Sequence, residues 1–495
     1  MNAIHSASTK AQRMLVAVYG LCVVALGGAW QPAIAADSDS TSVRRLPPGT
    51  GDGARYGEYY FLRFNEPAPA AGAGRDDLFA PLKRIALGDS TDGAYLSFSG
   101  LERFQFNSYS HETLASTNYD DQRFYQFRHI YGADLHLSDS LRFFGELGSG
   151  QVDKTHAGPQ PGRQVNDLVA QQYFVESSAQ VGDGRVTARV GRQGMWLGNG
   201  LLVSTQPNAN IPWSFDGADV SYRDASMQIE AFRVEAAGTG TGGIDDDRSM
   251  PERRMWGVYS SFALPHAAQV GAHLNVDAFY LGTRWENMKY GGVAGTDRRS
   301  HFGVRLWGGA GQAIMDWTAV MQRGRFAGKT VSAYALYSVS GYAFPQVRWK
   351  PTLLIHADLI SGGESASKIG TYNPLYSGQL YYTATGYLAG SNLIDAGPGI
   401  SLKLSPRFTL NAYNRWYWKK DKADYVYGRG FVPLATTANT SSSYMGMQPD
   451  VDFSWEIQKH LYLTTYLSYF DSGSALKQSG GKDIAATYVD LSFLF

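Results

Sequence analysis

Six basic side chains fall at alternating positions in segments whose opposite face is apolar: Arg128, Arg189, Arg305, Lys403, Arg415 and Lys419. A guanidinium offers a planar fork that pairs a carboxylate bidentately, and an ammonium acts as a compact point charge. Along one aqueous wall, such groups would hold acidic moieties weakly and in series. Carboxylates share the same faces, at Asp134, Asp358, Asp452, Glu456 and Asp490. The two sets can equally pair with one another across the wall and simply keep it solvated. Arg192 follows Gly191, where a bulge can send the side chain to either wall.

Other chemistry has little to stand on. The chain has no Walker loop, dinucleotide fingerprint or nucleophile elbow, and its ten histidines are scattered without metal-ligand spacing. We therefore expect no metal, no cofactor and no enzymatic activity. Asp216 before Gly217 and Asp395 near Gly397 read as turn residues, and Asp245-Asp246-Asp247 lacks the spacing of a calcium loop and reads as a solvated loop. Lys+Arg and Asp+Glu balance at 44 each, so no basic field argues for nucleic acid. The one cysteine, Cys22, lies in the N-terminal apolar run, which leaves the remainder without disulfides or thiol ligands.

The elements that must position the charged faces read as strands. Phe302, Val304 and Leu306 alternate with His301, Gly303 and Arg305; Val451, Phe453, Trp455 and Ile457 alternate with Asp450, Asp452, Ser454 and Glu456. Such segments run roughly 9–11 residues, enough for a tilted strand to cross a bilayer. A hairpin spacing of ~25 residues after Ala94 predicts roughly 16 to 18 of them. The mean hydropathy of -0.27 excludes a polytopic helical membrane protein but not a β-barrel. Tyr381-Tyr382, Trp416-Tyr417-Trp418 and Tyr469-Phe470 sit near segment ends, where interface belts place aromatics.

At the N-terminus, Lys10 and Arg13, an apolar core Met14 to Trp30 and Ala33-Ile34-Ala35 predict a cleaved signal peptide over 1–35. Residues 36–90 are expected to form a periplasmic lead-in, and 91–495 the barrel. The final Thr487 to Phe495 alternates Val489, Leu491, Phe493 and Phe495 with Tyr488, Asp490, Ser492 and Leu494. It reads as a closing strand with an aromatic terminus, the feature the barrel-assembly machinery would recognise.

Arg189-Val-Gly-Arg-Gln193, Gly198-Asn-Gly200 and Trp213-Ser-Phe-Asp-Gly-Ala218 together resemble the core pattern of the alginate export family. Tyr60-Phe-Leu-Arg-Phe64, Leu141-Arg-Phe-Phe-Gly-Glu146, Tyr372-Asn-Pro-Leu375 and Asn392-Leu-Ile-Asp395 keep the family order. The resemblance implies an all-β transmembrane antiparallel β-barrel of about 18 strands in the bacterial outer membrane. It also implies a monomeric, lipid-embedded channel for an anionic saccharide or polysaccharide, with Arg192 and Gln193 facing the path. The alternative is a general or nutrient-specific porin for small solutes. The pattern departs at Tyr376 to Ala384, where no arginine occurs, and at Gln171-Gln172, which stand where the alginate exporter has Arg-Glu.

Overall fold

A computed structural model describes residues 46–495 except 48–49, 68–76, 89–92, 112–113, 115–119, 157–162, 266–271, 291–292, 379–380, 382–385 and 435. The expected signal peptide lies outside these residues. The described chain forms a closed barrel of 18 antiparallel strands. They are β1 (Tyr95–His111), β2 (Asp120–Ser138), β3 (Leu141–His156), β4 (Asn166–Val181), β5 (Gly184–Gln193) and β6 (Phe215–Arg223). There follow β7 (Met227–Gly238), β8 (Arg248–Ala263), β9 (Ala272–Tyr290), β10 (Val293–Ala310), β11 (Ala313–Phe326) and β12 (Lys329–Ala343). The circuit ends with β13 (Thr352–Ile360), β14 (Leu393–Ser405), β15 (Phe408–Lys419), β16 (Tyr444–Gln458), β17 (Leu461–Ser472) and β18 (Ile484–Leu494).

β18 pairs antiparallel with β1, Leu494 opposite Leu101 and Asp490 opposite Gln105, so no edge is left open. Phe495 completes the seam by exchanging backbone hydrogen bonds with Gly100 at 3.0 and 3.1 Å. A Cβ at position 100 would stand 2.1 Å from the Phe495 ring, which explains the glycine there. The ring itself stacks on Phe79 at 4.6 Å.

The outer wall carries the apolar half of each alternation: Phe302, Val304, Met321, Leu353, Ile355, Val451, Trp455 and Leu467 are all exposed at the protein surface. Such a continuous apolar exterior is the lipid face of a membrane barrel. Several strands are longer than the sequence spacing predicts, reaching 19 residues in β2 and β9. At ~3.3 Å per residue these exceed the ~30 Å hydrocarbon core, so their ends extend beyond it. Turns such as Ser138–Leu141, Val181–Gly184 and Gln458–Leu461 mark one end, and the long connections β5–β6, β13–β14 and β15–β16 mark the other. By the usual asymmetry the short turns are periplasmic and the long loops external.

The interior is partly filled. From the external end, the β5–β6 connection turns inward on Gly198 (φ +56) and Gly200 (φ +76); a Cβ on Gly198 would meet the Tyr259 hydroxyl at 2.1 Å. It meets the inward β13–β14 connection through a Val203–Tyr376 bridge and hydrogen bonds Ser204 N to Tyr376 O and Tyr376 N to Leu202 O, both 3.1 Å. From the periplasmic end, the segment expected as a lead-in packs Tyr59, Phe61, Leu62 and Phe64 against Leu101, Ile130, Phe144, Phe174, Tyr462 and Leu494.

Candidate functional site in the barrel lumen

The lumen divides into two halves. In the first, walled by β1–β13, the inward basic residues hold the filling segments. Arg128, fully buried, donates to Pro207 O (2.6 Å) and Ala209 O (3.0 Å) of the β5–β6 connection, and its guanidinium lies 5.2 Å from the Phe61 ring. Arg189 pairs with Glu176 at 2.7 Å, donates to Gln193 Oε1 at 3.1 Å and stacks over Phe64 at 4.3 Å. Arg305 is clamped between Asp277 (3.0 Å) and Asp316 (2.7 Å). Arg299, which the sequence reading passed over, bonds Asp297 at 2.9 Å and the carbonyl of Thr371 at 2.8 Å. Asp134, near the periplasmic mouth, accepts from Arg142 at 3.3 Å.

The second half, walled by β14–β18, is different. Asp450, Asp452 and Asp490 line it, Asp452 accepting from Asn411 (2.7 Å), Asp450 from Gln448 (2.8 Å) and Asp490 from Tyr488 (3.3 Å). None of these partners is cationic; Arg103, at the boundary with the filled half, stands 3.7 Å from Asp490. Toward the periplasm a cavity of about 450 Å³ is bounded by this wall (Tyr462, Tyr466, Tyr488, Ser454, Asp490), by Arg55 and Tyr56 of the N-terminal segment, and by Pro207 and Asn208.

At the junction of the halves, His356, Asp358 and Asp395 bring their ligand atoms within 4.8 Å of one another. His356 Nε2 lies 2.9 Å from Asp358, Arg415 Nη1 lies 3.8 Å from Asp395, and Tyr381 donates to Asp358 at 3.2 Å. The guanidinium supplies the positive charge this carboxylate pair needs. Asp395 is thus a buried strand residue opposite Asp358, not the turn residue its neighbouring glycine predicted.

Four further expectations are corrected. Arg192 faces outward: it shares a face with Tyr173, pairs with Asp216 (2.8 Å) and Asp247 (3.4 Å), and so lies off the lumen. The alternation through Arg189, Val190 and Gly191 continues unbroken, which is why the side chain next in line points to the outer wall. The same contacts take Asp216 out of a turn and Asp247 out of solvent. Lys419 is buried, donating to Lys422 O (2.7 Å), Thr437 O (2.6 Å) and Thr440 Oγ1 (3.0 Å), so it fastens the β15–β16 loop instead of lining a path. Gln193 does turn inward beside Arg189, and Lys403 stands exposed near the periplasmic end of β14 with no ion pair among the described residues.

The sequence reading missed Arg103, the tyrosines and the N-terminal segment. Tyr488 had been placed on the polar face, but nothing local marks Tyr56 or Phe61 as residents of a lumen hundreds of residues away. Gln171 and Gln172 both point inward because a bulge breaks the β3–β4 register; they bond Pro212 O (3.1 Å) and Glu146 (2.8 Å).

A closed, lipid-faced barrel with a polar, partly obstructed interior defines an outer-membrane transport channel of the porin type. Residues 94–490 match the family model for alginate export, and the chain belongs to that family. No curated protein matches it. Among solved structures it is similar to a BenF-like porin from Pseudomonas fluorescens Pf-5 (TM-score 0.54, 11% identity, 81% of this chain and 98% of that one). It is also similar to Pseudomonas aeruginosa OpdO (TM-score 0.53, 10% identity, 81% and 97%). A third is Pseudomonas aeruginosa OccK2 in complex with glucuronate (TM-score 0.51, 11% identity, 84% and 99%). At these identities the likeness concerns the fold.

Proposed function

We propose that the channel passes small saccharides along the β14–β18 half of its lumen. The observation that carries this is the composition of that wall: Tyr462, Tyr466 and Tyr488 interleaved with Asp450, Asp452 and Asp490. Tyrosine offers an apolar ring for the C–H face of a sugar and a hydroxyl at its tip, and carboxylates accept from sugar hydroxyls. The inward arginines favour this over a free cationic track for a polyanion, because each is already bonded to a carboxylate or a carbonyl. An alginate-like polymer would in addition need the N-terminal segment displaced from the periplasmic mouth.

A second reading, an anionic monosaccharide, is supported by Arg55, Lys403 and Arg407 near that mouth. Liposome swelling with the reconstituted protein separates the two. Neutral sugars entering as fast as uronates supports the first, and uronates entering severalfold faster supports the second. Permeation by neither removes both.

A further inference from the structure

Four arginines oppose one another directly across four adjacent strands on the outer wall. Arg254 of β8 faces Arg284 of β9, Arg284 faces Arg298 of β10, and Arg298 faces Arg325 of β11. Like charges in directly opposed positions, ~5 Å apart at Cβ, destabilise a sheet. Arg254 has Glu235 at 3.1 Å and Arg284 has Glu286 at 2.9 Å. Arg298 and Arg325 are exposed and have no carboxylate partner among the described residues. Among the described residues, exposed Arg323, two residues below Arg325, bonds Gln322 O and Ser332 and no carboxylate.

The row lies on the lipid side, not the lumen side. Along β10, Arg298 shares its face with Phe302 and Val304, both exposed apolar residues of the lipid band; the alternate residues Arg299 and His301 are buried inside. Four residues along a strand is ~13 Å, so the row sits just above that band at the long-loop end. Trp256 lies between, and Tyr280 and Tyr334 stand level with Phe302 and Met321 at the top of the band, all three exposed on the same outer face, where an interfacial aromatic belt belongs. The arginines share one broad concavity with Tyr173 and Trp256.

We infer that this row is a docking surface for a phosphate-bearing lipid headgroup of the external leaflet. Guanidinium forks bind phosphate oxygens bidentately, and a multiply phosphorylated headgroup would offset the repulsion that the bare row carries. A carboxylate-bearing protein partner fits less well, because the row continues downward into residues that must face acyl chains.

The test uses the full barrel, reconstituted in phosphatidylcholine nanodiscs and titrated with bisphosphorylated lipid A or with lipid A stripped of phosphate. In R298Q/R325Q, affinity for the bisphosphorylated form should fall about thirtyfold, with no change for the stripped form. Equal affinity of variant and wild type would overturn the inference. So would inorganic pyrophosphate binding as tightly as the lipid, since the acyl anchor would then contribute nothing. A sign reversal gives an independent check: in lipid-free detergent the double variant should be more heat-stable than wild type, because repulsion is relieved, and in lipid A it should be less stable. A variant less stable in both media also overturns it. Should the double variant fail to assemble, Arg325→Gln alone carries the same contrast at about fivefold.

Discussion

The two halves of the lumen use charge in opposite ways. Along β1–β13, arginines are the structural fasteners: Arg103 and Arg128 grip carbonyls of the β5–β6 connection, and Arg299 grips one from β13–β14. In β15, Arg415 and Lys419 still grip the carbonyls of Tyr381, Lys422 and Thr437, but β16–β18 carry neither arginine nor lysine, and the carboxylates there accept from neutral donors such as Asn411 and Gln448. A buried cation is stable only where its donors are satisfied, and the carbonyls of an inserted loop do that without cancelling the loop's own charge. The lesson is that an inward arginine in this barrel reports where the lumen is blocked. The proposed passage lies along β16–β18, whose strands carry no arginine.

The comparison breaks most visibly at Arg128. Arg128→Ala leaves the Ala209 carbonyl without its donor and the Pro207 carbonyl with only the longer bond from Arg103, in a buried site, costing roughly 3 kcal/mol. We expect the β5–β6 connection to loosen and single-channel conductance to rise severalfold. Unchanged conductance, in a variant that still assembles, would mean that the filled half is held by its apolar contacts alone. Phe64→Ala should act next, at about 3 kcal/mol, by opening a cavity among Phe144, Phe174 and Arg189. Its readout is protease access to the N-terminal segment from the periplasmic side, which should increase while the barrel remains intact.

The open half predicts a change of selectivity without loss of stability. Asn is close in shape to Asp and keeps an acceptor, so Asp452→Asn with Asp490→Asn should lower the cation-over-anion permeability ratio about threefold in planar bilayers. Reversal potentials identical to wild type would show that ions travel elsewhere. Together with Arg128→Ala this makes a crossed test: one variant should alter how much passes, the other what passes.

Much of this was legible in the sequence, and the boundary is physical. Two-residue alternation is a local property, so the lipid face of β10 and β16 and the inward set Asp134, Arg305, Asp358 and Asp490 could be read directly. The pairing of those charges could not, because Arg305 meets Asp277 and Asp316 only through the registers of β9, β10 and β11. Arg192 was misplaced for a different reason. A family pattern preserves the residue, and the side of the wall follows from strand parity, which here runs unbroken through Gly191. The N-terminal segment was beyond reach altogether: its Tyr59 to Phe64 pattern is apolar, but only closure of β18 on β1 creates the mouth that receives it.

That mouth supplies the smallest expected effect. Helix α1 (Ala80–Lys83) ends in Lys83, whose ammonium donates to Phe98 O at 3.0 Å and lies 4.0 Å from Glu66. Burial, with Arg63 nearby, pushes the Lys83 ammonium down to about 8 from an ordinary value near 10.5. The packed segment therefore prefers the neutral amine. Below about pH 8 both packed and released forms hold the proton and its burial penalty is constant. Between about 8 and 10.5 the released form binds more protons, so packing strengthens as pH rises through this window. Because the side chain keeps some contact with water, the change should be modest, about fivefold in the packed-to-released ratio. Conductance of the wild-type channel should fall between pH 8 and 10, and Lys83→Met should flatten that profile. A profile that falls equally in both proteins would assign the titration to another group and leave the N-terminal segment insensitive to this lysine.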